Sequence, residues 1–244
     1  MSNSSFSSPL VKPRCLRLER VNRAGKAAGL SPGDVLVRLD GRLFDGKAHT
    51  LKTFFGGRAR RERMLGFWRN GQMWQLWTDT GSLGRWRIME LPAEIDDAPL
   101  EIEGLRNWEV WVQPDGLYDT QPSRPGLIEA LVPLNLIRMR LWPAFLIWLA
   151  VSLVCVMLGW AFGLLTQAIV WVYFWRAGPA LQRQDWLARG FQLWRVVAMR
   201  SERALHEELA NTVPEFAFIH GRRQKLENDP SSSVDSGEAL ALKR

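Results

Sequence analysis

The sequence predicts an α+β membrane protein: a small β-rich domain, then a two-helix transmembrane hairpin flanked by short strands. Three observations carry this. Residues 141–175, LWPAFLIWLAVSLVCVMLGWAFGLLTQAIVWVYFW, contain no Asp, Glu, Lys, Arg or His. Arginines bracket that run, with Arg138 and Arg140 before it and Arg176, Arg183, Arg189, Arg195, Arg200 and Arg203 after it. Upstream, short stretches alternate apolar and polar residues, the period of half-buried strands.

As one straight helix the apolar run would be about 52 Å long, against a bilayer core of about 30 Å. One crossing leaves too much and two leave slightly too little, so each half must borrow flanking residues: Leu136 to Met139 in front and Ala177 behind. The break belongs at Gly159-Trp160-Ala161-Phe162-Gly163, where the glycines either supply a tight turn or act as a GxxxG packing motif. Basic flanks stay in the cytoplasm, so both termini are expected there, in a multi-pass inner-membrane topology. Trp142, Trp171, Tyr173 and Trp175 sit where interfacial aromatic belts belong.

From the start, residues 1–13 read as a flexible lead, polar and serine-rich, without the apolar core of a signal peptide. LRLERV from Leu16 alternates as a strand. In the block NRAGKAAGLSPGDVLVRLDG, Ala27 to Leu30 suits one helical turn and Ser31-Pro32-Gly33-Asp34 is turn chemistry. Val35 to Leu39 is a second strand, ended by Asp40-Gly41. Lys47 to Phe55 places Leu51, Phe54 and Phe55 on one helical face. MLGFW and QMWQLW then flank Asn70-Gly71, the strongest hairpin signal in the chain.

These residues resemble bacterial PDZ domains. The stretch from Leu18 to Asp40 follows their order of strand, small-residue turn, AGL, PGD and strand, and the helix and hairpin follow in sequence. The resemblance covers roughly residues 14–80 and implies a groove that receives a peptide by strand addition. Leu16, Leu18, Leu51, Phe54, Phe55 and Arg14 are the peptide-binding candidates, although residues such as Leu51, Phe54 and Phe55 are more often core than groove. The family's usual glycine-rich carboxylate loop has no counterpart ahead of Leu16, where the chain reads SFSSPLVKPR.

The PDZ-like domain is taken as 14–91 and the acidic PAEIDDAPLEIE stretch as part of a linker over 92–106. A strand-bearing segment follows over 107–126, an interfacial helix over 127–140 and the hairpin over 141–176. A cytoplasmic helix-strand-helix over 177–213 and a mostly disordered tail over 214–244 complete the chain. The pattern from Trp108-Glu109-Val110-Trp111-Val112 through the hairpin to Val196-Val197-Ala198 is similar to a bacterial inner-membrane family of unknown function. That resemblance spans 107 to about 210 and implies no activity. Strands over 108–113 and 191–197 are expected to pair, since each alone exposes backbone and tryptophan.

The residues exclude several chemistries. His49, His206 and His220 are dispersed, and His206-Glu207-Glu208-Leu209-Ala210 lacks the second histidine of a zinc protease motif. Cys15 and Cys155 form no metal pattern, and neither a nucleophile motif nor a phosphate loop is present, so no enzyme and no cofactor is expected. The net charge of +7 reads as attraction to anionic lipid rather than nucleic acid. Arg58, Arg60, Arg61, Arg63, Arg138, Arg140 and Arg176 are the candidate contacts to headgroups, and Gly159 and Gly163 the packing or turn positions. The function expected is a non-enzymatic membrane adaptor or scaffold whose PDZ-like domain meets a protein partner beside the bilayer. The alternative is an accessory subunit of a membrane complex, held mainly through the hairpin.

Overall fold

The computed structural model describes residues 14–56, 61–126, 130–157 and 159–221. The expected lead, the end of the expected tail, Arg58 and Arg60, and the first residues of the expected interfacial helix lie outside them. Two compact units divide the chain: residues 1–107 with 195–201, and 108–194 with 202–244.

In the first unit, β1 (Arg14–Val21), β2 (Val35–Leu39), β3 (Arg42–Leu43), β4 (Arg63–Arg69), β5 (Gln72–Thr78) and β6 (Gly84–Glu90) form one sheet. Its order is β5-β4-β2-β1-β6, with β3 on β2. Asn70 and Gly71 both take positive φ, 51° and 81°, as a two-residue hairpin turn requires, and set Arg69 opposite Gln72. Asp40 and Gly41 do the same between β2 and β3. The short helix α1 (Arg23–Ala27) starts at Asn22, whose side chain accepts from the Gly25 amide. α2 (Ala48–Phe55) lies against β6 and buries Leu51.

β2 is buried on both faces, and that includes Arg38, only 1% exposed. Its guanidinium donates to the carbonyls of Gly41, Asp96 and Ala98 and to the Asp96 carboxylate at 2.9 Å. A buried charge needs such partners, and residues of the expected linker supply them, with Leu100 N–H donating to the Gly41 carbonyl as well.

The second unit holds most of β7 (Arg106–Val112), with β8 (Leu117–Pro122), β10 (Ala217–Phe218) and the start of β9 (Gln192–Met199). The sheet order is β10-β8-β7-β9, so β7 and β9 are neighbours as their exposed backbone demanded. Its helices are α3 (Val132–Arg138), α4 (Trp142–Met157), α5 (Trp160–Ala188) and α6 (Glu202–Thr212). Val132, Leu136, Leu141 and Phe174 form a core between α3, α4 and α5, while Trp111, Trp186 and Phe191 pack at the sheet.

The expectation of a transmembrane hairpin fails. Among the described residues no helix is long and apolar enough to cross a membrane. α4 has 16 residues, about 24 Å of rise against a core of about 30 Å. The residues it was to borrow belong to α3, which ends where Arg140 takes φ +55° and breaks the chain direction. α5 is longer, but Arg176, Gln182, Arg183 and Asp185 occupy its second half, and Gln182 and Trp186 are buried there. The fold is therefore α+β with two sheets, without the transmembrane hairpin of the expected membrane class. The multi-pass inner-membrane placement with cytoplasmic ends rested on two crossings and is withdrawn with them.

Gly159 and Gly163 divide the two roles between them. Gly159 has φ +80° at the start of α5 and makes the turn. Gly163 is buried, and a Cβ there would collide with the Cys155 carbonyl oxygen, so it permits α4 and α5 to approach.

Candidate functional site

Polar residues of the second unit converge on a cavity of about 320 Å³. β8 contributes Asp119, Thr120 and Gln121, and the end of α3 with its following turn contributes Arg138, Met139 and Arg140. Gln182, Asp185 and Arg189 come from the end of α5, Glu202 from the start of α6, and Ile219 and His220 from the segment after β10. Arg138 and Arg140 stand immediately before α4, so the cavity opens at the base of the apolar hairpin.

Through Gln121 the lining joins a hydrogen-bonded network around Glu109. Glu109 is buried and is gripped by the Arg183 fork, with Nε donating at 2.9 Å. It also accepts from Trp111 Nε1 at 3.1 Å and Gln121 Nε2 at 3.0 Å. The Glu109 carboxylate accordingly holds the Arg183 guanidinium above its ordinary pKa, though burial opposes this. With its amide nitrogen committed, Gln121 keeps a buried carbonyl oxygen without a partner among the described residues; the Oε1 of Gln182, a residue 5% exposed, is in the same position. Unpartnered buried acceptors are costly and uncommon in folded proteins.

Two carboxylates of the cavity are set in opposite directions. Burial pushes Asp119 above the usual carboxylate range, despite the Thr120 amide, His220, the Trp186 indole and Arg189, which all pull it down. Trp186 Nε1 donates to Asp119 Oδ2 at 3.1 Å, and His220 Nε2 lies 3.9 Å from the same oxygen. Glu202 is held below its ordinary value, first by His206, whose Nε2 is 3.9 Å away, and further by Arg138 and Thr120. The other His206 nitrogen, Nδ1, meets the Tyr118 hydroxyl at 2.8 Å, and burial pushes that phenol up to about 12. Arg189 and Asp185 pair at 2.7 Å on the rim.

Charges of both signs face one small volume, and its lining includes neither a serine nor a cysteine to act as nucleophile. Among the described residues no group of three His, Cys, Asp or Glu could hold a metal ion.

The sequence candidates are dispersed. Leu16, Leu18 and Leu51 are fully buried in the first unit's core. Phe54 is exposed with the Arg63 guanidinium 5.8 Å above its ring, Phe55 is half-buried, and the Arg14 amide donates to Asp45. Arg61 is exposed, whereas Arg63 pairs with Asp40 at 2.6 Å. Arg176 is exposed on α5, and among the described members of the basic set Arg138 and Arg140 line the cavity. Asp119, Gln182 and Glu202 carried no sequence signal, because each stands alone in an ordinary polar context and meets the others only through the fold. His206 and His220 looked dispersed for the same reason.

No family model, curated protein or solved structure matches the chain. The site therefore rests on its own geometry.

Proposed function

We propose that the protein is a non-enzymatic adaptor that docks on a lipid surface through the α4–α5 hairpin, which lies within one leaflet without crossing. The observation that carries this is the state of the hairpin's surface. Among the described residues, fifteen large apolar side chains between Trp142 and Tyr173 are exposed, including Val156 at 76%, Met157 at 86% and Trp160 at 84%. They surround both helices instead of forming a stripe, so a groove on one side would leave the rest in water. Each costs on the order of 1 kcal/mol or more in water, and the sum rivals the stability of a whole domain. An apolar phase on all sides removes that cost. Arg138, Arg140 and Arg176 at the hairpin's base match an anionic headgroup layer, at about 1 kcal/mol per basic residue.

The first unit supplies the adaptor half of the reading. β5 and β6 are the ends of its sheet, and α2 lies beside β6. A strand edge next to a helix is the arrangement that accepts an extended peptide, which is also what the PDZ resemblance implies.

Flotation of the full chain with vesicles tests the docking. The wild type is expected to rise with vesicles of phosphatidylcholine and phosphatidylserine, less so at high salt. The variant carrying Met157→Asp and Trp160→Asp, both at exposed positions, is expected to stay below. A wild type that remains in the dense fraction, or a double variant that floats as well, overturns the reading. If the wild type fails to float yet copurifies with an integral membrane complex, the accessory-subunit reading takes its place.

A further inference from the structure

We infer that the β6 edge of the first unit receives an extended protein segment in which acidic residues alternate with apolar ones, a site that rests on the adaptor reading and gives its partner a chemistry. The two ends of the sheet are not equivalent. On β5 the Asn107 side chain takes the place of a neighbouring strand. Its Oδ1 accepts from the Trp77 main-chain N–H at 2.8 Å, and its Nδ2 donates to the Trp77 carbonyl at 2.7 Å. The Trp77 indole is fixed beside it by the Leu105 carbonyl at 3.0 Å. Among the described residues β6 pairs with β1 alone, so the outer side of its main chain keeps its donors and acceptors for an added strand.

Side chains decide which strand can be added. Successive residues of β6 face opposite sides of the sheet. Trp86 and Ile88 stand opposite the buried Leu18 and Leu16, and Ile88 stays 43% exposed at the edge. On the other face Arg87 stands opposite Arg17 and Arg85 opposite Arg20, so successive rungs carry like charges. Like charges directly opposite destabilise a sheet. Among the described residues Glu19 is the carboxylate that pairs with this row, 3.3 Å from Arg85 and 3.9 Å from Arg87, and those two side chains remain 73% and 75% exposed. Exposed ion pairs are weak, and one carboxylate does not balance four guanidinium groups.

A strand added to β6 continues both rows. Its residues beside Trp86 and Ile88 meet the apolar face, and those beside Arg85 and Arg87 meet the basic one, where acidic side chains supply the missing cross-strand partners. A second copy of β6 centred on Trp86 would set Arg85 against Arg87 and is opposed, as is any basic strand. Nucleic acid or lipid headgroups would satisfy the arginines but make no use of the open main chain or of Ile88.

The test uses the full chain in nonionic detergent and the fluorescence anisotropy of labelled peptides blocked at both ends. Three peptides alternate valine with glutamate, serine or lysine, and a fourth has the glutamate composition with its acids in one block. The alternating acidic peptide is expected to bind at least tenfold more tightly than the other three, and N-methylation of its amides to abolish binding. Arg85→Glu with Arg87→Glu is expected to weaken it at least tenfold and to make the lysine peptide the tighter ligand. The milder pair Arg85→Gln with Arg87→Gln should weaken it without that reversal. If the serine peptide binds as tightly as the acidic one, the edge takes strands without charge selection, so the inference falls and the adaptor reading stands. If no peptide binds, the adaptor reading falls with it. Equal binding by the block or N-methylated peptide would reduce the site to a charged face and overturn the inference. A folded glutamine variant that binds the acidic peptide like the wild type overturns it too, and if that variant also loses flotation, the arginines belong to the lipid surface. Met157→Asp with Trp160→Asp should lose flotation and still bind the acidic peptide, which separates this site from the hairpin.

Discussion

Asp34 is wholly inaccessible to solvent, yet it is a carboxylate. It is tolerated because the Arg69 fork grips it, with Nη2 at 2.7 Å, and the Ser31 amide donates to it at 2.9 Å. Arg195 adds a second positive charge, stacked 4.0 Å over the Trp74 ring; burial and then Arg69 push its pKa down to about 10, while Asp34 opposes them. Below that value the fold carries a disfavoured charge, held by the carboxylate. Asp34→Asn removes the carboxylate that Arg69 grips and that favours the Arg195 charge, and is expected to cost about 3 kcal/mol. Arg195→Met keeps the stem over Trp74 and removes the disfavoured charge, so its cost should be much smaller. Urea denaturation of both variants checks the order, and equal losses would refute it. Tyr118 offers a pH test. Its folded pKa is raised to about 12, against an ordinary value of about 10, so the favourable neutral phenol persists in the fold while the unfolded chain ionises. Stability should be fully present below about pH 10 and fall as pH rises through about 12. The chain has only two tyrosines, so Tyr118→Phe should remove the late component of tyrosinate absorbance. If the variant's titration still contains that component, the assignment is wrong.

At the scale of elements, strands and turns were legible because their signals are local. Alternation and Asn-Gly or Asp-Gly pairs fix the β4–β5 and β2–β3 hairpins within a few residues. The hairpin of helices was legible in existence but not in reach. Hydropathy counts apolar residues, whereas reach depends on where each helix stops, and α3 and α4 are separated by the backbone of Arg140, a residue type that predicts no break. The two glycines were found, but their roles could not be separated, since φ at Gly159 and the approach of Cys155 to Gly163 are properties of the folded pair. Substitution separates them. Gly159 has open space around it, so Ala should cost about 1 kcal/mol from its backbone alone and Asn less. At Gly163 the neighbour is backbone and cannot move aside, so Ala and Asn should both cost about 1–3 kcal/mol. Thermal unfolding of the four variants in detergent checks this; Asn tolerated at 163 and rejected at 159 would reverse the assignment.

Over the whole molecule, the chain order and the order of packing part company. A β-rich domain over 14–91 looks self-contained in sequence, because each of its strands has its own alternation. The first compact unit nevertheless includes 195–201, and the contribution is specific: Val196 N–H donates to the Ala28 carbonyl, Arg195 covers Trp74, and Arg200 pairs with Glu101 at 2.6 Å. Residues 92–107 are also part of it, fastened through Arg38. Such long-range pieces are invisible to periodicity, which shows that a segment has an apolar face but not which face it meets. The same blindness hid the cavity, whose acids come from 119, 185 and 202. A chain ending at Gly190 should therefore destabilise its own N-terminal unit. Without the cover over Trp74 and the partner for Ala28, β5 and the turn after α1 are expected to open more often. Hydrogen exchange of peptides from residues 14–90 should rise several-fold relative to the full chain, most in the segments around Ala28 and Trp74. Exchange unchanged there would mean that the first unit is complete without residues 195–201.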